Sequence, residues 1–141
     1  MADQRYIDFI ENIILRTKEK NISWKYLDKN EDLYVGMGWY KTEKEYGLFP
    51  NSDKEIIKPN FNLEDSFFAH MGNMYLVIYV WGNRPASFYV VPNTYKKIVS
   101  LAPEEYGDYI TRLLNLVQSQ FPNAETFIDN FLKKESEKKS T

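Results

Sequence analysis

The stretch FFAHMGNMYLVIYVWGNRPASFYVVPN, residues 67 to 93, constrains the fold more than any other part of the chain. Gly72 and Asn73 form a two-residue reversal that tolerates positive φ, so Met71 pairs with Met74 and His70 with Tyr75. Side chains alternate along a strand, and this register sorts the residues into two faces. Phe67, Ala69, Met71, Met74, Leu76, Ile78 and Val80 share an aliphatic face; Phe68, His70, Tyr75, Val77, Tyr79 and Trp81 share an aromatic one. A second reversal at GNRPA, with Trp81 placed opposite Ser87, adds Phe88 and Val90 to the first face and Tyr89 and Val91 to the second.

Around this meander the chain reads as α+β. Tyr6, Ile7, Ile10, Ile13 and Ile14 recur at helical spacing behind Asp3, a candidate N-cap, and predict an amphipathic N-terminal helix to about Lys20. NISWKYLD alternates as a strand, and DLYVGMGWY reads as a second strand whose Gly36 and Gly38 mark a bulge or a place where another chain or a ligand comes close. Residues 41 to 65 read as a long excursion with one short strand around Ile56 and Ile57; so long a loop in a compact domain is functional or conceals structure. Pro103 opens a helix with the stripe Tyr106, Ile110, Leu113, Leu114, Val117 and Phe121. Pro122 ends it, and Asn123 caps another bearing Phe127, Ile128, Phe131 and Leu132. The expectation is one α+β domain over residues 1–132, with an N-terminal helix, an antiparallel meander of four or five strands and two C-terminal helices packed on one sheet face. Residues 133–141, KKESEKKST, read as a charged flexible tail.

At 141 residues there is room for one core. Apolar residues at 43% and charged residues at 27% fit a globular chain, and a net charge of −2 offers no global attraction for phosphates. Nucleic acid is therefore disfavoured as a partner. No cysteine is present, which excludes disulfides and thiolate chemistry within the chain and fits a cytoplasmic setting. The longest apolar run, MYLVIYVW, is too short for a membrane-spanning helix, and the first twenty residues do not read as a signal peptide.

The N-terminal helix running into RTKEKNISWKYL, the meander ending SFYVVPN and the close ITRLLNLVQSQFPNAETFIDNFL resemble small uncharacterised proteins of low-GC Gram-positive bacteria and their mobile elements. The resemblance implies no activity, cofactor or catalytic residue. An accessory or inhibitory role within a mobile element is what it suggests. Residues 30 to 65 lie outside it.

His70 is the sole histidine, no serine stands in a G-x-S-x-G context, and the G-x-G of YVGMGWY opens no nucleotide fingerprint. No cofactor, metal ligand set or catalytic residue is therefore assigned. The candidate binding surface is the aromatic face, with Tyr75, Tyr79, Trp81 and Tyr89 beside His70, or else the long excursion around Trp39, Tyr40 and Phe49. Such residues combine apolar area with a polar tip and are enriched at interface hot spots. The competing reading is a sheet covered on both faces, which an uninterrupted MYLVIYVW also fits. Three functions follow in order: a non-enzymatic module that binds a protein partner or itself; single-stranded nucleic-acid or small-ligand binding on the aromatic face; and a carboxylate and metal-dependent enzyme.

Overall fold

The structure, a computed structural model, describes residues 2–139; Met1 and the last two residues of the tail reading lie outside them. Helix α1 spans Gln4–Lys18, and the Asp3 carboxylate caps it by accepting from the Arg5 amide at 2.9 Å. Its buried residues, Ile10, Ile13, Ile14 and Thr17, follow helical spacing. Strand β1, Trp24–Tyr26, then joins the central sheet, and a single 3-10 turn over Leu27–Lys29 redirects the chain.

Here the structure corrects the reading of DLYVGMGWY as a strand. Residues Glu31–Gly36 form the short helix α2, capped by Asn30, whose side-chain oxygen accepts from the Leu33 amide at 3.1 Å. Two acids in the first turn suit the helix dipole. Leu33 and Tyr34 are adjacent and both buried against the same cluster, which a helix permits and an alternating strand does not. What approaches Gly36 is a side chain of this same chain, not another chain or a ligand. A Cβ on Gly36 would sit 2.7 Å from the ring of Tyr95, and Gly38 takes φ +77° as the chain leaves the helix.

The long excursion resolves into a separate two-stranded sheet, β2 (Tyr40–Glu45) against β3 (Lys54–Pro59), paired from Tyr40 opposite Pro59 to Glu45 opposite Lys54. The strand expected at Ile56 and Ile57 is β3; its partner β2 carries no strand signal, because YKTEKE has one large apolar residue and no alternation. The central antiparallel sheet has the order β1-β4-β5-β6-β7, with β4 Phe67–Met71, β5 Met74–Tyr79, β6 Ser87–Pro92 and β7 Val99–Leu101. The turn at Gly72 and Asn73 pairs Met71 with Met74 and His70 with Tyr75, as the sequence predicts. At the second reversal Ser87 lies opposite Tyr79 rather than Trp81. That slip is two residues, so face parity survives: Phe88 faces with Ile78, and Tyr89 with Val77. Both edge strands are three residues long, a length that limits edge-to-edge association.

Helices α1 and α3 (Pro103–Gln118) cover the aliphatic face, burying Phe67, Leu76, Ile78, Phe88 and Leu101 with Ile110, Leu113 and Val117. Buried polar groups are paired: the Trp24 indole N–H donates to the Thr17 hydroxyl at 3.0 Å, and the Val80 amide to the Ser66 hydroxyl at 3.1 Å. Of the two helices expected on this face, α3 takes its place there. The other, α4 (Ala124–Lys139), begins at Asn123 as read, its side chain accepting from the Glu125 amide at 2.9 Å. It continues into the segment read as a tail, and Phe127, Ile128, Phe131 and Leu132 remain 53–70% exposed.

Candidate functional site

The aromatic face has its own cover. Leu27, Leu33 and Tyr34, with Phe61, close over Phe68, Val77 and Val91 to make a second core, against which Tyr75, Tyr79 and Tyr89 pack part-buried. The covered-sheet reading therefore describes the centre of this face, while its ends at His70 and Trp81 stay exposed. Trp39 is the keystone: its ring stacks on Tyr79 at 4.3 Å between centroids and meets Tyr89 edge-on at 5.0 Å. The Tyr79 hydroxyl donates to the Asn60 carbonyl at 3.4 Å. Burial, with the neighbouring Tyr89 second, pushes the Tyr79 phenol above the ordinary tyrosine value of 10.0; burial also raises Tyr34 and Tyr95.

The other candidate residues stay nearer the surface. His70 is exposed and stacks on Tyr75 at 4.7 Å beside the hairpin turn. Tyr40 is 38% exposed where β2 starts. Trp81 is 42% exposed on the loop after β5, held by Asn62, whose side chain both donates to the Gly82 carbonyl at 2.8 Å and accepts from its amide at 3.1 Å. Trp81 borders a cleft of about 520 Å³ that also takes in Tyr79, Tyr89, Arg84 and Glu104. Tyr79, Tyr89 and Trp81 thus meet, as the alternation implies, with Trp39 lodged among the tyrosines. His70 and Tyr75 sit apart from that cleft. Among the described residues, no group of three or more His, Asp or Glu side chains converges to hold a metal ion, and no helix is long and apolar enough to cross a membrane.

The most exposed apolar surface lies instead on the β2–β3 arm. Tyr46, Leu48 and Phe49 at its tip are 78%, 97% and 73% exposed. Six-residue strands carry this tip about 20 Å from the root. Phe49-Pro50-Asn51-Ser52 is a hydrogen-bonded β-turn: the Ser52 amide donates to the Phe49 carbonyl at 3.1 Å, and Asn51 takes φ +73°. Proline followed by a residue of positive φ is the type II pattern. The Ser52 hydroxyl accepts from the Phe49 amide at 3.1 Å, and Asp53 accepts from the Gly47 amide at 3.1 Å. A Cβ on Gly47 would run into the Ser52 side chain, so any other residue there forces the turn to shift. The tip is therefore a built turn that holds three large apolar side chains toward solvent.

The root of the arm is equally defined. Trp39 precedes β2 and Phe61 follows β3, and both sit in the second core; the Asn60 amide donates to the Trp39 carbonyl at 3.0 Å. Along the arm, a hydrogen bond from the Lys58 ammonium at 2.9 Å, with Lys41 at 3.6 Å, holds the Glu43 carboxyl below its ordinary value. Sequence reasoning named Phe49 in this region but passed over Tyr46 and Leu48. The signal was available in YGLFPN, where large apolar residues occupy turn chemistry that leaves them nothing to pack against. Compared with known proteins, the chain matches no protein-family model, no curated protein and no solved structure.

Proposed function

We propose that this chain is a non-enzymatic protein-binding module whose β2–β3 arm inserts Tyr46, Leu48 and Phe49 into an apolar pocket of a partner protein. The observation that carries the reading is the near-complete exposure of these side chains on an ordered turn. Exposed apolar clusters on soluble domains mark interaction sites, and a turn already in its bound shape lowers the ordering cost of association. Four lysines and four acids balance along residues 40–59, which favours a protein pocket over a polyanion. The covered aromatic face leaves Tyr75, Tyr79 and Tyr89 committed to intramolecular contacts, which weighs against base stacking on the sheet. A role as an accessory or inhibitory factor of a mobile element would use the same arm.

The test compares tagged wild type with the variant Tyr46→Ser/Leu48→Ser/Phe49→Ser in affinity purification from host extract, followed by native mass spectrometry. A stoichiometric protein retained by wild type and lost by the variant, with unchanged circular dichroism, is the expected result. Equal recovery by both proteins, or no partner at all, overturns the assignment.

A further inference from the structure

Two apolar features remain unused by the arm. One is the exposed α4 stripe of Phe127, Ile128, Phe131 and Leu132. The other is a groove on the aliphatic face along α1, made of two adjoining hollows of about 460 and 240 Å³ that share Phe9 and Val90. Its floor crosses the sheet from Met71 and Met74 to Val99 and Leu101, and its wall is the α1 flank bearing Arg5, Phe9, Asn12 and Arg16.

We propose that α4 of one copy docks in this groove of a second copy, reciprocally, to form a symmetric dimer. The dimensions agree. Ala124 to Leu132 spans about 13 Å of helix, and the groove crosses three strand spacings, about 14 Å. The charges agree in sign: Glu125 and Asp129 stand one turn, about 6 Å, apart beside the stripe, while Arg5 and Arg16 stand exposed at the two ends of the groove wall, about 16 Å apart. Arg5 contacts Asp3 at 3.9 Å, a long and solvated pairing that does not bar another.

The occupant is not the chain's own α4, because α1 lies between. Phe121, just before α4, packs on Tyr26 and Phe67 at 4.6 and 5.0 Å, at the far end of β4 from Met71. The flank of α1 facing α3 is marked by Gln120 donating to the Thr17 carbonyl at 2.9 Å, whereas Arg5, Phe9, Asn12 and Arg16 line the groove; Tyr6, in ring contact with Tyr106 at 6.2 Å, stands between the two and borders the smaller hollow. Taking about 200 Å² per large side chain, the stripe exposes about 500 Å². Two such contacts, counted on both surfaces, bury about 2,000 Å², within the range of stable dimers. Reciprocal exchange closes the assembly with two-fold symmetry. This surface is distinct from the arm tip, so either proposal can fail alone.

The experiment is sedimentation equilibrium of purified full-length protein, with Phe131→Asp, the reversals Arg5→Glu/Arg16→Glu and Glu125→Lys/Asp129→Lys, and the combination of both reversals. The expected result is a dimer, weakened about a hundredfold by Phe131→Asp because a tenfold loss at each of two contacts multiplies. Each charge reversal also weakens it, and their combination restores it. Since the chain has no cysteine, a short bis-maleimide applied to Phe131→Cys/Met74→Cys reports the geometry directly. Cross-links between chains support reciprocal docking. A wild-type monomer at all concentrations, cross-links confined within one chain, or cross-linking of Phe131→Cys alone as efficient as of the pair overturns it.

Discussion

Replacing Tyr79 by alanine separates a covered aromatic face from an open one. Tyr79 stacks on Trp39, meets Tyr89 and Phe61 at centroid distances of 6.3 and 6.2 Å, and reaches the Asn60 carbonyl through its hydroxyl. Full burial of a large aromatic makes truncation cost about 3–5 kcal/mol. Tyr79 is only part-buried, so about 2–3 kcal/mol is expected. The hydroxyl contributes little of this: its hydrogen bond is long, and Tyr79→Phe should cost under about 1 kcal/mol. Urea unfolding followed by far-ultraviolet circular dichroism is the assay, because Trp39 and Trp81 would both confound fluorescence. The cycle Trp39→Ala, Tyr79→Ala and the double variant should show a coupling of about 0.5–1.5 kcal/mol for the stacked pair. Trp81→Ala, at an exposed loop position, should fall within about 0.5 kcal/mol of wild type. A Tyr79→Ala variant as stable as wild type, or zero coupling to Trp39, would refute the placement of this ring in the second core.

Thr17→Val keeps the shape of the side chain but leaves the Trp24 indole N–H buried without a partner, and a loss of about 1–3 kcal/mol is expected by thermal or urea unfolding. Gly47→Ala forces the arm tip apart at Ser52 while touching neither core; partner capture should fall with little change in the unfolding midpoint. Tyr34, Tyr79 and Tyr95 have folded pKa values above their unfolded value of 10.0, so the native state holds their protons longer. Their contribution is complete below about pH 10 and declines as pH rises from there through the folded values. Unfolding midpoints should fall above pH 10, less steeply in Tyr79→Phe than in wild type; equal slopes would argue against the assigned shift.

Local pattern was sufficient where one interaction range decided the outcome. Gly72 and Asn73 determined the β4–β5 register, period two determined which residues share a face, and even the misjudged second reversal kept the faces because its slip was an even number of residues. Asp3 and Asn123 were legible as caps for the same reason: each acts on amides within its own first turn. What failed needed information from far along the chain. Leu33 and Tyr34 are helical because Phe61, Phe68 and Val77 make one shared pocket for both, and no local periodicity in six residues reports that pocket. β2 has almost no hydrophobic signal, since both sides of the arm meet solvent and pairing with β3 alone orders it. The part-buried packing of Tyr79 and Tyr89 depended on Trp39, forty and fifty residues earlier, arriving over the sheet. Alternation and the turn at Gly72 and Asn73 follow from the local chain alone, because they are short-range steric and hydrogen-bonding matters. Which apolar residues remain outside is a property of the packed whole and no short segment carries it: the centre of the aromatic sheet face is covered, and Leu48, Phe49 and the α4 stripe are not.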